Sequence, residues 1–296
     1  MSLLAGVALA TLSAVALATQ SLGVRLVSAG TPLRDVLTVV FVVNVLVLGP
    51  IGAADAVLSG AVPTATGALA FAVAGVLGSL LGRVCYFVGI ARLGASRAEP
   101  LKSLLPLVAV GGAVLVLGES LSPPLLAGTA LLVVGAVVVA SDARQSPVNA
   151  TGRQLWIDVA FPLAAAVLYG IDPVLTKLGL ESGGSALVGV ALRVGVSAAA
   201  FGGYLAWQAG RGERVFPEAI DRRLYAVAVA NTVYLVAFYA ALAVAPVAVV
   251  APIVGASPLF VVLGAALFLP DSERVTARLA AGAVLVVAGA ALIVRG

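Results

Sequence analysis

Hydrophobic runs of about 17–25 residues, the length a helix needs to cross the hydrocarbon core of a bilayer, recur along nearly the whole chain with brief polar interruptions. Ten runs stand out, at 3–24, 35–53, 66–91, 99–117, 123–140, 155–176, 185–208, 224–244, 247–269 and 276–294, and we number them spans 1 to 10. The interruptions carry residues that end helices: Thr31-Pro32, Pro63, Pro123-Pro124, Gly183-Gly184, the polar stretch Ser141 to Arg153 and the charged stretch Arg211 to Arg223.

The second half of this pattern repeats the first. Pro100 and Pro106 in span 4 recur as Pro252 and Pro258 in span 9, both at a separation of 152 residues. The same separation carries Arg25 to Lys177, Tyr86-Phe87 to Phe238-Tyr239 and Glu119 to Asp271; two residues more bring Gly128 and Gly135 of span 5 onto Gly282 and Gly289 of span 10. The chain therefore reads as a five-span repeat over 1–140, a connection over 141–154 and a second five-span repeat over 155–296.

An odd number of spans per repeat turns the second copy upside down in the membrane, so the charge bias of equivalent loops should reverse between repeats. It does. The loops after spans 1 and 3 carry Arg25, Arg34, Arg92 and Arg97, whereas those after spans 2 and 4 carry no Lys or Arg. In the second repeat the loops after spans 7 and 9 carry Arg211, Arg214, Arg222, Arg223, Arg274 and Arg278, and those after spans 6 and 8 carry only Lys177. With Arg144 and Arg153 of the connection, twelve basic residues lie on one face against Lys177 and Arg295 on the other. The positive-inside rule makes the face with twelve cytoplasmic, the connection included, and places both termini outside a cell membrane. The expected fold is an all-α membrane protein of ten transmembrane helices, in two inverted five-helix repeats around a central cavity. Rocking one such repeat against the other opens that cavity alternately to each side, which is how many secondary transporters work.

Composition agrees with lipid as the solvent. Hydrophobic residues make up 62% of the 296 and charged ones 10%, with a mean hydropathy of +1.17; a soluble core could not hide so much apolar surface. The net charge of +4 comes from 17 scattered Lys and Arg with no cluster facing an aromatic patch, which argues against a nucleic-acid partner. Histidine is absent and Cys85 is the one cysteine. Intrachain disulfides are excluded, and neither a metal site nor a cofactor is expected. The run ending Ala16-Leu17-Ala18 resembles a signal-peptide cleavage site, but only Met1 and Ser2 precede Leu3; without a basic leader segment it is read as span 1.

Leu93-Gly94-Ala95-Ser96-Arg97-Ala98 enters span 4, Pro106 lies within it, Leu117-Gly118-Glu119 ends it, and Gly128 and Gly135 lie in span 5. A second copy of this pattern runs through Ala245-Pro246-Val247, Pro258, Leu269-Pro270-Asp271, Gly282 and Gly289. In these motifs the chain resembles the drug/metabolite transporter superfamily, in its EamA-like two-repeat branch. The resemblance implies a cavity lined by spans 1 to 4 and 6 to 9, with spans 5 and 10 peripheral. Pro270-Asp271 departs from the Gly-Glu pair usual there. Cargo in this family ranges from amino acids and sugars to nucleotide sugars and cations, so the resemblance names no single substrate.

Candidate chemistry lies where charge enters a span, because a charge near the bilayer centre costs about 2.5–3.5 kcal/mol on insertion scales and so faces a cavity or a partner. Arg83 is deepest, eight residues or about 12 Å from the cytoplasmic end of span 3. Tyr86 shares its face three residues on; together they suit a carboxylate, the alternatives being a buried ion pair or an arginine that snorkels to the interface. Glu99 and Lys102 open span 4 beside Pro100 and ahead of Pro106, where they can pair with each other or serve as a gate and proton acceptor. Asp172, before Pro173, suggests a kink with unwound backbone that could coordinate an ion; Arg193 in span 7 is a possible ion-pair partner for it. Gln20, Asn44 and Asn231 are equally interhelical hydrogen-bond partners or substrate contacts. Glu119 and Asp271 sit at membrane boundaries and suit capping, and the paired glycines suit close helix packing.

These residues point to a gradient-driven secondary transporter of a small polar metabolite, with protons or another ion as the coupling partner and membrane lipid around it. No phosphate-binding G-x-x-x-x-G-K-[ST] occurs to support ATP-driven pumping. The alternatives are a membrane scaffold or channel, or an intramembrane enzyme; the last would need a Ser/His pair, a second deep aspartate or a metal cluster.

Overall fold

A computed structural model describes residues 3–27, 31–93, 98, 101–141, 153–213, 215, 221–268 and 277–295, and their regular secondary structure is entirely helical. In chain order the helices are α1 (Leu3–Val27), α2 (Leu33–Ser59), α3 (Ala65–Ala74), α4 (Arg83–Leu93), α5 (Leu105–Leu117), α6 (Pro123–Ser141), α7 (Arg153–Glu181), α8 (Ala186–Gly210), α9 (Arg223–Val244), α10 (Val247–Gly255), α11 (Ser257–Phe268) and α12 (Ala277–Arg295). A π-helical segment, Gly75–Gly82, joins α3 to α4, so span 3 is one rod with a widened middle. Among the described residues six helices are long and apolar enough to cross a membrane, and four shorter apolar helices accompany them. The chain is a multi-pass membrane protein.

The residues that interrupt the hydrophobic pattern do the capping. Thr64 accepts from the Gly67 N–H ahead of α3 and Ser185 accepts from the Val188 N–H ahead of α8. Gly60 and Gly118 close α2 and α5 in the left-handed region, at φ 67° and 66°, where a side chain would be strained. Pro106 and Pro258 each stand second in a helix, α5 and α11. Lacking an N–H, proline cannot continue an earlier helix but suits the first turn of a new one.

Three local expectations change. Span 4 is not one helix, since the chain turns at Ser103-Leu104 ahead of α5. Span 9 is two helices, with Ala256 at φ −79° and ψ 3° between α10 and α11. Span 6 is not unwound at Asp172-Pro173: α7 runs unbroken from Arg153 to Glu181 with Pro162 and Pro173 inside it. Each proline forfeits one backbone hydrogen bond, and neighbouring helices make that tolerable within a membrane.

Packing follows the 152-residue separation with the halves exchanged. α1 lies against α9 as α7 lies against the α3–α4 rod, α1 meets α10 and α11 as α7 meets α5, and α2 packs on α8 and α6 on α12. A buried core of Leu48, Phe71, Leu132, Leu235, Tyr239 and Leu242 runs between the halves. Outside, Leu58, Leu115 and Val284 are 87%, 86% and 67% exposed, an apolar surface suited to lipid. α6 and α12 touch backbone to backbone: a Cβ added to Gly128 would stand 2.7 Å from the Gly289 carbonyl, and one added to Gly135 would stand 2.8 Å from that of Gly282. The paired glycines therefore have the packing role expected of them.

Candidate functional site

The middle of the bundle holds a buried ion pair. Arg193, on α8 and 2% exposed, donates through Nη1 and Nη2 to Oδ1 and Oδ2 of Asp172 on α7, at 2.7 and 2.6 Å. Its Nε donates to Ser79 Oγ in the π segment at 2.8 Å. Thr176 Oγ1 donates to Asp172 Oδ1 at 3.3 Å, and the guanidinium lies 5.7 Å from the centre of the Tyr239 ring. Glycine in the π segment permits this approach, since a Cβ on Gly78 would sit 2.5 Å from Asp172 Oδ2. A bidentate fork with every acceptor satisfied is the geometry in which a buried charge pair is tolerated. The pair anticipated between Asp172 and Arg193 is thus present.

Arg83 begins α4 beside this pair and is half-buried. Its guanidinium stands 5.7 Å from the centre of the Phe41 ring on α2 and interacts electrostatically with Tyr169 of α7, Tyr234 of α9 and Arg193. Among the described residues no carboxylate lies within ion-pair distance of it. Lys102 is buried, with Nζ 4.5 Å from the centre of the Tyr86 ring, and the Tyr86 ring in turn lies tilted against Phe87, centroids 5.7 Å apart. Tyr169 and Tyr234 both interact with Lys102 and Asp172 as well, so the two tyrosines tie these charges into one cluster. The structure therefore brings together Arg83, Tyr86, Lys102, Asp172 and Arg193. Glu99, Pro100 and Asp271 lie outside the described residues.

A second, uncharged cluster occupies the exchanged position. Asn44 Nδ2 donates to Asn231 Oδ1 at 2.6 Å, Asn231 Nδ2 to Gln20 Oε1 at 2.9 Å and Thr232 Oγ1 to Asn44 Oδ1 at 2.7 Å. It ties α1, α2 and α9 as the ion pair ties α7, α8 and the π segment. By the 152-residue separation Gln20 answers Asp172 and Asn231 answers Ser79, while Phe41 answers Arg193 with Asn44 one turn further on. Gln20, Asn44 and Asn231 satisfy one another across helices.

Helix ends are tied across the halves as well. Glu119 accepts from the Val247 and Ala248 N–H groups at 2.8 and 2.9 Å, capping α10 as its boundary position suggested. Lys177 donates to the Leu242 and Ala245 carbonyls at the end of α9, at 2.9 and 3.4 Å. Arg92 pairs with Asp158 at 3.1 Å.

Tyr169, Tyr234, Tyr239, Ser79, Thr176 and Phe41 belong to the site without having been singled out from the sequence. Signals for some of them exist: Tyr169 precedes Asp172 by three residues and Tyr234 follows Asn231 by three, each on a shared helix face, and Ser79 is the repeat counterpart of Asn231.

No curated protein is significantly similar to this chain in sequence. A solved structure titled only "Crystal structure of protein" superposes on it with a TM-score of 0.78 at 17% identity, covering 99% of this chain and 98% of that one; such identity speaks for the fold alone. The model of the EamA-like transporter family matches twice, at residues 4–141 and 156–295. With almost its full length matched in two copies, the chain belongs to the EamA-like transporter family.

Proposed function

We propose that the chain is a secondary transporter that carries a small metabolite bearing an anionic group, by alternating access, with Arg83 as the anion's anchor. In this reading ten spans form two inverted repeats, 1–140 and 155–296, joined by a cytoplasmic connection at 141–154, with the candidate site at their interface. The exchange of helix contacts between halves and the reversed loop charges support it. The observation that carries the anion site is Arg83 itself. A guanidinium inside a span that is half-buried, backed by the Phe41 ring and without a carboxylate partner among the described residues has a planar donor fork to offer a ligand. Asp172 and Arg193 saturate each other and act as the scaffold beside it.

The driving force is a gradient, and Glu99, an acidic residue at the entry to span 4, is the proposed proton acceptor. The test is counterflow in proteoliposomes with an organic acid found by a thermal-shift screen, since a ligand of the folded state raises apparent stability. Arg83→Lys, which keeps charge and loses the fork, should transport far less. Arg83→Ala should transport nothing at near-normal yield; full transport by that variant would remove the anion site. Glu99→Gln should lose uptake driven by a pH gradient and keep equilibrium exchange. Unchanged gradient dependence would take Glu99 out of the mechanism.

A further inference from the structure

Among the described residues, the four charged side chains of the site come from one side of the exchanged architecture: Arg83 from α4, Lys102 from the entry to span 4, Asp172 from α7 and Arg193 from α8. Their counterparts 152 residues away are Leu235, Val254, Gln20 and Phe41, none of them ionisable. The two repeats share a backbone plan and differ in charge at every one of these positions, so the site has one ionic wall and one uncharged wall.

Among the described residues the ionic wall holds no free place for a cationic group, and Glu99, outside them, is assigned to the proton in the proposed cycle. Asp172 is the one carboxylate among the described residues of the site, and both its oxygens are engaged by Arg193, with Thr176 also on Oδ1. Ring faces, the other means of holding an ammonium, already carry protein cations: Phe41 faces Arg83, Tyr86 faces Lys102 and Tyr239 faces Arg193. Half-buried Phe87, Tyr169 and Tyr234 supply further ring surface, but Tyr169 and Tyr234 lie beside the Arg83 and Lys102 charges, which repel an ammonium and leave these rings to an uncharged body.

We infer that the substrate is an organic monoanion with an apolar body and no ammonium group, its carboxylate on Arg83 and its body against the rings and the uncharged wall. This rests on the carrier reading with Arg83 as anchor.

The test uses the full chain purified in detergent and four probes: 3-phenylpropionate, phenylalanine, phenethylamine and acetate. These keep, add, invert or strip away one feature each. In thermal-shift titrations 3-phenylpropionate should raise the unfolding temperature at a concentration about tenfold or more below phenylalanine or acetate, and phenethylamine should give no rise. Arg83→Leu, which installs the residue found at the repeat counterpart, should abolish the 3-phenylpropionate shift while the unliganded melting temperature holds; Arg83→Lys, retaining charge, should keep a weakened one. If phenylalanine or phenethylamine matches 3-phenylpropionate and the response still needs Arg83, the monoanion class is overturned and the carrier reading stands. If acetate matches it, the apolar body is wrong. A response indifferent to Arg83, or none with any probe, overturns both the class and Arg83 as anchor.

Discussion

Asp172 and Arg193 should tolerate joint replacement better than single replacement. Removing one partner leaves the other charge buried, so Asp172→Asn or Arg193→Met should each cost about 3–5 kcal/mol, whereas the pair Asp172→Leu with Arg193→Met should recover much of that loss. A double-mutant cycle by denaturation in detergent measures it; additive losses would mean that the two side chains act independently. The uncharged cluster is a milder case. Asn231→Val should cost about 1–2 kcal/mol, in the range of interhelical hydrogen bonds in membranes, and a loss as large as that for Asp172→Asn would contradict the difference drawn between the clusters. At this scale the sequence showed the charges readily, because an ionisable residue in an apolar run is conspicuous. Tyr169, Tyr234 and Phe41 were not legible, since an aromatic ring inside a span is ordinary and only its neighbours reveal that it faces a charge.

Helices were legible where their ends carry proline or paired glycine, as at Pro32, Pro63 and Gly183-Gly184; the end of α2 was not, since span 2 as read from the sequence ends at Ala53 while the helix continues to Ser59 and closes on Gly60. Local departures inside a span were harder. The same residue type gave opposite outcomes: Pro173 sits within unbroken α7, whereas Pro258 follows the interruption at Ala256. Tertiary packing decides between them, and no short window of sequence holds that information. The π segment is legible only in hindsight, from Gly75, Gly78 and Gly82 and the side chains that crowd them. The α6–α12 contact invites a test of its own. Gly128→Leu would push a side chain into the Gly289 carbonyl and the Ile293 backbone, and we expect a loss of about 1–3 kcal/mol. Neither helix supplies a residue to the site, so binding by the folded fraction should be unchanged. A shift in ligand affinity at normal stability would show that this pair is coupled to the candidate site.

For the whole molecule, the expected orientation rests on the twelve basic residues read onto one face from the sequence. In a Cys85→Ser background, a cysteine near Gly212 should resist an impermeant reagent applied to intact cells, and one at Gly296 should react; the reverse pattern would invert the topology. The same exchange of partners that builds the site also constrains how the protein is made. Asn44 and Asn231 are separated by 187 residues and Gln20 and Asn231 by 211. At typical synthesis rates the ribosome needs roughly 10–40 s to cover the first of those distances. Over that interval Gln20 and Asn44 of the newborn first half have no Asn231 to bond, and Ser79 has no Arg193. The first half must therefore wait in the bilayer, or beside the insertion machinery, with its polar groups served by stand-ins such as water or lipid headgroups. Expressed alone it should be degraded, and co-expression of 153–296 as a separate polypeptide should rescue it. An isolated 1–141 fragment that accumulates stably would show that each half can satisfy its own polar groups after all.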